Sequence, residues 1–296
     1  MRTDLSLIIT TRRWDGLYVT LNHVKRQKFN DAWELVIVDK FRDERHIQIE
    51  MWAKEHSINL LHICPKIKKD INGNPLPITN LDYGNSYNTG FLYANSEIVV
   101  SIDDFMGFKP DFIQNHYDFL KKAGDDFCCL GPIYSIDYIP FENRPDDITA
   151  FGRDRFVPRD NTNTNRGIEH NEFPITSEMN YRQSNVSTYL KNYIKINGYD
   201  ERFDAGGFWD KKINVNRARG MCDNDICFRL YDAEIYFHME DSVPTWHMIH
   251  VGEDSHSETY TVGTDPNYWK KHCDLPVYFN LAEERKLLHN GLDLSG

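Results

Sequence analysis

Two adjacent carboxylates, Asp103 and Asp104, follow the run Glu97-Ile98-Val99-Val100-Ser101-Ile102 and suit a hard cation. The run reads as a buried strand, preceded by a helix through Asn88-Thr89-Gly90-Phe91-Leu92-Tyr93-Ala94. Open α/β sheets bind ligands at the exposed carboxyl ends of such strands, and a cation held there would hold phosphates in turn. The expected chemistry is that of a nucleotide-dependent enzyme.

Several other elements must position that pair. Leu5-Ser6-Leu7-Ile8-Ile9 and Glu34-Leu35-Val36-Ile37-Val38 are short apolar runs that end at polar residues, as buried parallel strands do. Leu17, Leu21 and Val24 recur at helical spacing between them, and Ile47, Met51 and Trp52 suggest a second helix before a third strand, Asn59-Leu60-Leu61-His62-Ile63. Alternating strands and helices predict a parallel sheet covered on both faces, with right-handed crossovers that bring the strand ends to one rim. Thr10, Thr11, Asp39, Asp103 and Asp104 would gather there.

The 296 residues allow one large α/β domain or two small ones, and 40% hydrophobic with 13% aromatic content fills a sizeable core. A net charge of -11 disfavours nucleic acid and anionic lipid as partners. No apolar run approaches the roughly 20 residues that span a bilayer, and Met1-Arg2-Thr3-Asp4 leads straight into a strand, so the expectation is a soluble, cytoplasmic protein without an integral membrane segment. Cys64, Cys128, Cys129, Cys222, Cys227 and Cys273 lack zinc-site spacing and read as reduced, mostly buried thiols. Residues 141–182 are polar and weakly periodic, and a stretch of that length is either an acceptor-side loop or lid or plain disorder.

In this order the segments resemble family 2 glycosyltransferases of the GT-A fold. Residues 5–13 resemble the first strand and its nucleotide-binding loop, Glu34 to Asp39 the second strand with its acidic residue, and Asn88-Thr89-Gly90 the family's Asn-x-Gly. Ile102-Asp103-Asp104 resembles the start of the metal-binding acidic segment. Gly198-Tyr199-Asp200-Glu201-Arg202-Phe203 with Gly206-Gly207 resembles the stretch before the acceptor site, and Asp223-Asn224-Asp225-Ile226-Cys227-Phe228-Arg229 the acidic helix start that supplies the base.

The resemblance implies a single α/β domain with a Rossmann-like, mostly parallel central sheet flanked by helices and interrupted by a long polar insertion. Residues 1–135 would form the donor half, 136–185 the insertion or acceptor loop, and 186–296 the acceptor and catalytic half. It implies an inverting, metal-assisted transfer of a sugar from a nucleoside-diphosphate donor, uridine by default, to a hydroxyl of a saccharide-type acceptor. Thr10, Thr11, Arg12, Asp39, Asn88, Gly90 and Asp103 would bind the nucleotide sugar, and Gly207 and Trp209 the acceptor, Trp209 by stacking on a sugar unless it anchors the core. A divalent ion, Mn2+ or Mg2+, would sit on Asp103, Asp104 and one histidine of Pro244-Thr245-Trp246-His247-Met248-Ile249-His250, with His247 favoured over His250. Asp223 would be the base, with Asp225 as the alternative.

Besides Lys40, which follows Asp39 where a small polar residue is common, the chain departs from the family pattern at three places. Phe105 stands where a second carboxylate is usual, Tyr87 where an arginine often precedes the asparagine, and Cys222 where a glutamate precedes the base. These changes keep open a non-catalytic module that binds a nucleotide sugar or glycan. The arginines Arg144, Arg153, Arg155, Arg159 and Arg166 keep open a DNA glycosyltransferase acting on a hydroxylated nucleobase.

Overall fold

The computed structural model describes residues 3–69, 74–75, 83–151, 184–201, 209–210, 215–216, 222–248 and 279–292. The apolar runs form β1 (Thr3–Thr11), β2 (Trp33–Asp39), β3 (Leu60–Ile63) and β4 (Ser96–Asp103). Helices α1 (Gly16–Val24), α2 (Arg42–Glu55) and α3 (Tyr83–Tyr93) lie between them in the chain. There follow β5 (Met106–Phe108), α4 (Phe112–Ala123), β6 (Phe127–Leu130) and β7 (Ile133–Ile136). After two 3-10 turns, Phe141–Asn143 and Ile148–Phe151, come β8 (Asn185–Tyr189), α5 (Leu190–Lys195) and the short strands β9 (Trp209–Asp210) and β10 (Val215–Asn216). The described chain continues with α6 (Cys222–Asp232), β11 (Tyr236–Met239), β12 (Thr245–Met248) and α7 (Leu281–Leu292).

The large sheet runs β11-β6-β8-β4-β1-β2-β3. Strands β3, β2, β1 and β4 are parallel, whereas β8 lies antiparallel between β4 and β6. A second sheet, β5-β12-β7, packs beside the rim through Phe105, Val19, Ile136, Ile148, Trp246 and Met248.

Alternation along the central strands divides the core between two faces. Leu5, Leu7, Ile9, Leu35, Ile37, Ile98 and Val100 meet Leu17, Leu21 and Val24 of α1 and Phe112 and Leu120 of α4. Ile8, Val36, Val38 and Val99 meet Phe91 of α3, Tyr193 of α5 and Ile226 of α6. Both faces being apolar, polar contacts inside the sheet fix the pairing. Ser6 lies opposite Glu34, donates to its Oε1 at 2.5 Å, and meets the Ser96 hydroxyl at 2.6 Å.

The second helix forms where expected but on a different phase. Ile47 and Met51 are exposed, at 63% and 68%, and Arg45, Ile49 and Ala53 form its buried face. The phase follows from Arg45, which turns inward to meet Asp39. Cys128, Cys129, Cys222 and Cys227 are buried free thiols and Cys64 an exposed one, while Cys273 lies outside the described residues. Burial pushes the Cys128 thiol up to about 12. Among the described residues, no helix is long and apolar enough to cross a membrane.

Helix α3 is buried from Gly84 to Leu92, and Gly90 lets it lie directly on β1. A Cβ at Gly90 would stand 2.4 Å from Ile8 Cγ2. We expect Gly90→Ala to destabilise the fold by about 1–2 kcal/mol in urea titration, overpacking outweighing the helix preference of alanine. In an Ile8→Ala background, which opens that space, the penalty should shrink.

Two buried histidines make stability acid-sensitive. His23 donates from Nδ1 to the Phe108 carbonyl at 2.9 Å, and His116 bridges Ser187 Oγ at 2.8 Å and Asn185 Oδ1 at 3.2 Å. Burial lowers their pKa values to about 4 and about 3. Below the ordinary histidine value of about 6.5 the unfolded chain takes up protons that the folded chain refuses. Stability should therefore fall from about pH 6.5 towards pH 4, by up to about 1.4 kcal/mol per pH unit for each histidine. Urea midpoints across that range, compared with those of His116→Gln, test this.

Candidate functional site

Strand register builds the rim. Thr10 lies opposite Asp103 across β1 and β4, and Thr11 opposite Asp39 across β1 and β2. Five predicted site residues, Thr10, Thr11, Asp39, Asp103 and Asp104, are thus brought together where the strands end.

Asp39 faces inward. Its carboxylate accepts from Arg45 Nε at 2.6 Å and Nη2 at 2.7 Å, from His62 Nε2 at 2.9 Å and from the Phe41 amide at 2.8 Å. Burial would raise its pKa, but the hydrogen bonds from His62 and Arg45 outweigh it and hold the group below the usual carboxylate value. Arg45 also donates to the carbonyls of Trp14 and Arg13 and to Thr11 Oγ1. The pair therefore shapes the β1–α1 loop, and both Asp39 oxygens are engaged within the protein. Nothing local in the sequence marks Arg45 as buried, because an arginine in a helix ordinarily reads as surface.

Asp104 is equally committed. It is 1% exposed, forms an ion pair with Arg13 and accepts from Thr11 Oγ1 at 3.0 Å. Burial works against the Arg13 charge, but Asp104, Tyr83 and Asp103 outweigh it and raise its pKa. Arg12 places its guanidinium 3.6 Å from the centre of the Tyr83 ring.

Asp103 and Asp223 are joined through two stacked tyrosines. The Tyr87 hydroxyl donates to Asp103 Oδ1 at 2.5 Å, as does Thr10 Oγ1 at 3.3 Å. The Tyr87 and Tyr199 rings stack with centroids 5.6 Å apart, and the Tyr199 hydroxyl donates to Asp223 Oδ1 at 3.3 Å. Burial and Asp103, with Asp223 adding its field, push the Tyr87 hydroxyl well above its usual range, so both acids act on one phenol. Burial, with Asp104 adding repulsion, raises Asp103 against the lowering hydrogen bond from Tyr87. Sequence reading noted Tyr87 only as a missing arginine and did not see this link.

Asn88 and Asp225 hold the framework. Asn88 donates to the Tyr199 carbonyl and to Glu201 Oε1, each at 2.9 Å, and accepts from the Tyr199 amide at 2.7 Å. Gly198, at φ +63°, lets the turn approach, since a Cβ there would stand 2.3 Å from Asn88 Oδ1. Glu201 is pinned in turn by Lys66 at 2.8 Å. Asp225 accepts from Arg229 at 2.5 Å and 2.8 Å, and Arg229 also ties the carbonyls of Ile196 and Gly198. Asp223, in the same first turn of α6, is only half-buried.

Of the expected metal donors, Asp103, Asp104 and His247 are among the described residues. Asp104 is occupied by Arg13, Phe105 is buried at 1% exposure, and His247 lies in β12, paired with Met106 of β5 and Ser135 of β7. Among the described residues no three His, Cys, Asp or Glu side chains come together as a cation site. Asp103 remains as a single carboxylate. Gly207, His250, Arg153, Arg155, Arg159, Arg166 and the side chain of Trp209 lie outside the described residues. Arg144, the described member of the arginine cluster, pairs with Asp15 and has its side chain 7% exposed.

Removing the Asn88 amide takes a buried acceptor from the Tyr199 amide and buried donors from the Tyr199 carbonyl and Glu201, which keeps Lys66. Asn88→Ala should cost about 2–4 kcal/mol of stability, read from urea unfolding.

With this geometry in view, the comparisons with known proteins are informative. The family model described as Glycosyl transferase family 2 matches residues 6–188. The crystal structure of S. aureus TarS aligns with TM-score 0.51 and 13% identity over 83% of this chain and 37% of that one. S. aureus TarS 1-349 in complex with UDP-GlcNAc aligns with TM-score 0.51 and 14% identity over 84% of this chain and 60% of that one. At such identity the likeness is one of fold, and this chain spans well under two thirds of either. Comparison with curated proteins returns no match. By the family match and by its mostly parallel sheet with flanking helices, the chain belongs to glycosyl transferase family 2 and has the GT-A-like fold.

Proposed function

We propose that this chain transfers a sugar, with inversion, from a nucleoside-diphosphate donor to a hydroxyl of a saccharide-type acceptor, and that Asp223 is the general base. The observation that carries this reading is the connection Asp103–Tyr87–Tyr199–Asp223, which sets a carboxylate of the nucleotide rim and a half-buried carboxylate of α6 on one aromatic stack. Asp225 is tied to Arg229 by an ion pair, and the half-buried Asp223 is favoured as the base.

In the reaction the acceptor oxygen attacks the anomeric carbon opposite the leaving diphosphate. The carbon–oxygen bond to the β-phosphate breaks with its electron pair remaining on the phosphate, and Asp223 takes the acceptor's proton. Residues 1–135 would bind the donor and residues 186–296 supply the base and acceptor surface. A protein of the same fold holding UDP-GlcNAc makes uridine diphosphate sugars the first donors to try. Free thiols suit a reducing compartment and favour a cytoplasmic location.

The test is a panel of sugar nucleotides against glycans and hydroxymethylated DNA, with product anomers assigned by NMR. Asp223→Asn should lower turnover by about 10²–10⁴-fold while donor binding changes little. A product that retains the donor's anomeric configuration would overturn inversion. Binding without turnover by the unaltered protein would leave a recognition module.

A further inference from the structure

Phe105 occupies the place where the family resemblance implies a second acid, and two guanidinium groups flank its ring, Arg13 paired with Asp104 and Arg144 with Asp15. Its backbone has φ +60°, and its ring lies 5.8 Å from the Arg13 guanidinium carbon and 5.4 Å from that of Arg144. The two guanidinium groups come from distant parts of the chain, one from the β1–α1 loop and the other from the segment after β7. The start of α1 presses on this turn, since a Cβ at Gly16 would stand 2.5 Å from the Phe105 ring and 2.9 Å from Asp104 Cγ.

Arg144 is held by a 2.7 Å hydrogen bond from Nε to the Ile139 carbonyl and a 2.7 Å ion pair from Nη2 to Asp15. Its remaining nitrogen, Nη1, is buried with no hydrogen-bond partner among the described residues. A buried guanidinium nitrogen without an acceptor is costly and calls for an anionic or carbonyl oxygen. Arg13 directs Nη1 to Asp104 and Nη2 to Tyr83 at 3.5 Å, and its side chain is 24% exposed. Each arginine retains N–H groups beyond those its protein partners use.

We propose that Arg13 and Arg144, held beside Phe105, supply the positive charge that receives the donor's diphosphate, in place of a divalent ion. The inference rests on the nucleotide-sugar reading above and concerns how that donor is held. Bidentate guanidinium groups match phosphate oxygens in geometry and keep their charge at every working pH. They also suit a site where one acid is ion-paired and the next position is an aromatic ring. As the glycosidic bond breaks, the charge developing on the β-phosphate falls to fixed cations that need no recruitment from solution.

Calorimetric binding of UDP, ADP, GDP and CDP, and of the matching nucleosides, in EDTA and in manganese tests this. The nucleoside diphosphate that binds should do so within about twofold in either condition. Arg144→Gln and Arg13→Gln should each weaken it about tenfold or more, while nucleoside binding changes less than about twofold. Should the buried Arg144→Gln fail to unfold cooperatively, the partly exposed Arg13→Gln carries the comparison. Diphosphate binding that vanishes in EDTA and returns with manganese overturns the inference and leaves the glycosyltransfer reading intact. Equal loss of nucleoside and diphosphate binding in the variants also overturns it. Failure of every nucleoside diphosphate in both conditions removes the donor reading and the inference together.

Discussion

Buried hydrogen bonds at Ser6 decide where chemistry can occur in this chain. The central strands are apolar on both faces, so hydrophobic alternation alone would tolerate more than one pairing. Ser6 removes that freedom by meeting Glu34 of β2 and Ser96 of β4 at once, and Glu34 also accepts from the Asn95 amide at 2.6 Å. A shift of either neighbour by one residue would leave a buried carboxylate or hydroxyl without its partner, at a cost of about 1–3 kcal/mol for each. The same register, followed to the other end of β1, sets Thr10 against Asp103 and Thr11 against Asp39. Polar pairing at one end of the sheet thereby fixes the acid geometry at the other.

Helix α3 transmits that geometry to the second half of the chain. Three nearby positions serve different directions: Tyr87 reaches Asp103, Asn88 grips Tyr199 and Glu201, and Gly90 lets the helix settle on Ile8. A fully buried helix can carry asparagine, serine and threonine only if each finds a partner. Thr89 does so with the Asn85 carbonyl at 2.7 Å and the Lys66 amide at 2.9 Å. The polar residues that make α3 a poor hydrophobic helix are the ones that weld the two halves together.

The strands and the first helix were legible in the sequence because their signals are local. Leu17, Leu21 and Val24 are buried at the spacing that predicts them, and the runs at Leu5 and Glu34 became β1 and β2. Partners distant in sequence were not legible. Nothing near Asp39 in the sequence shows that Arg45 and His62 hold its oxygens, and nothing near Asn88 shows that Tyr199 closes on it. The same limit explains α2, whose period was visible while its phase depended on a buried ion pair six residues from Asp39. Arg144 was grouped with surface arginines because composition cannot show that one of them turns inward.

Phe105 sets backbone strain against packing at one position. A left-handed backbone costs a residue with a Cβ about 1–2 kcal/mol, which glycine would recover. Glycine would also delete the ring that Arg13 and Arg144 flank and that packs against Trp246 and Met248. Losing a buried aromatic side chain costs about 3–5 kcal/mol, more than glycine would recover, so close packing is enough to hold a bulky ring on a backbone that suits none.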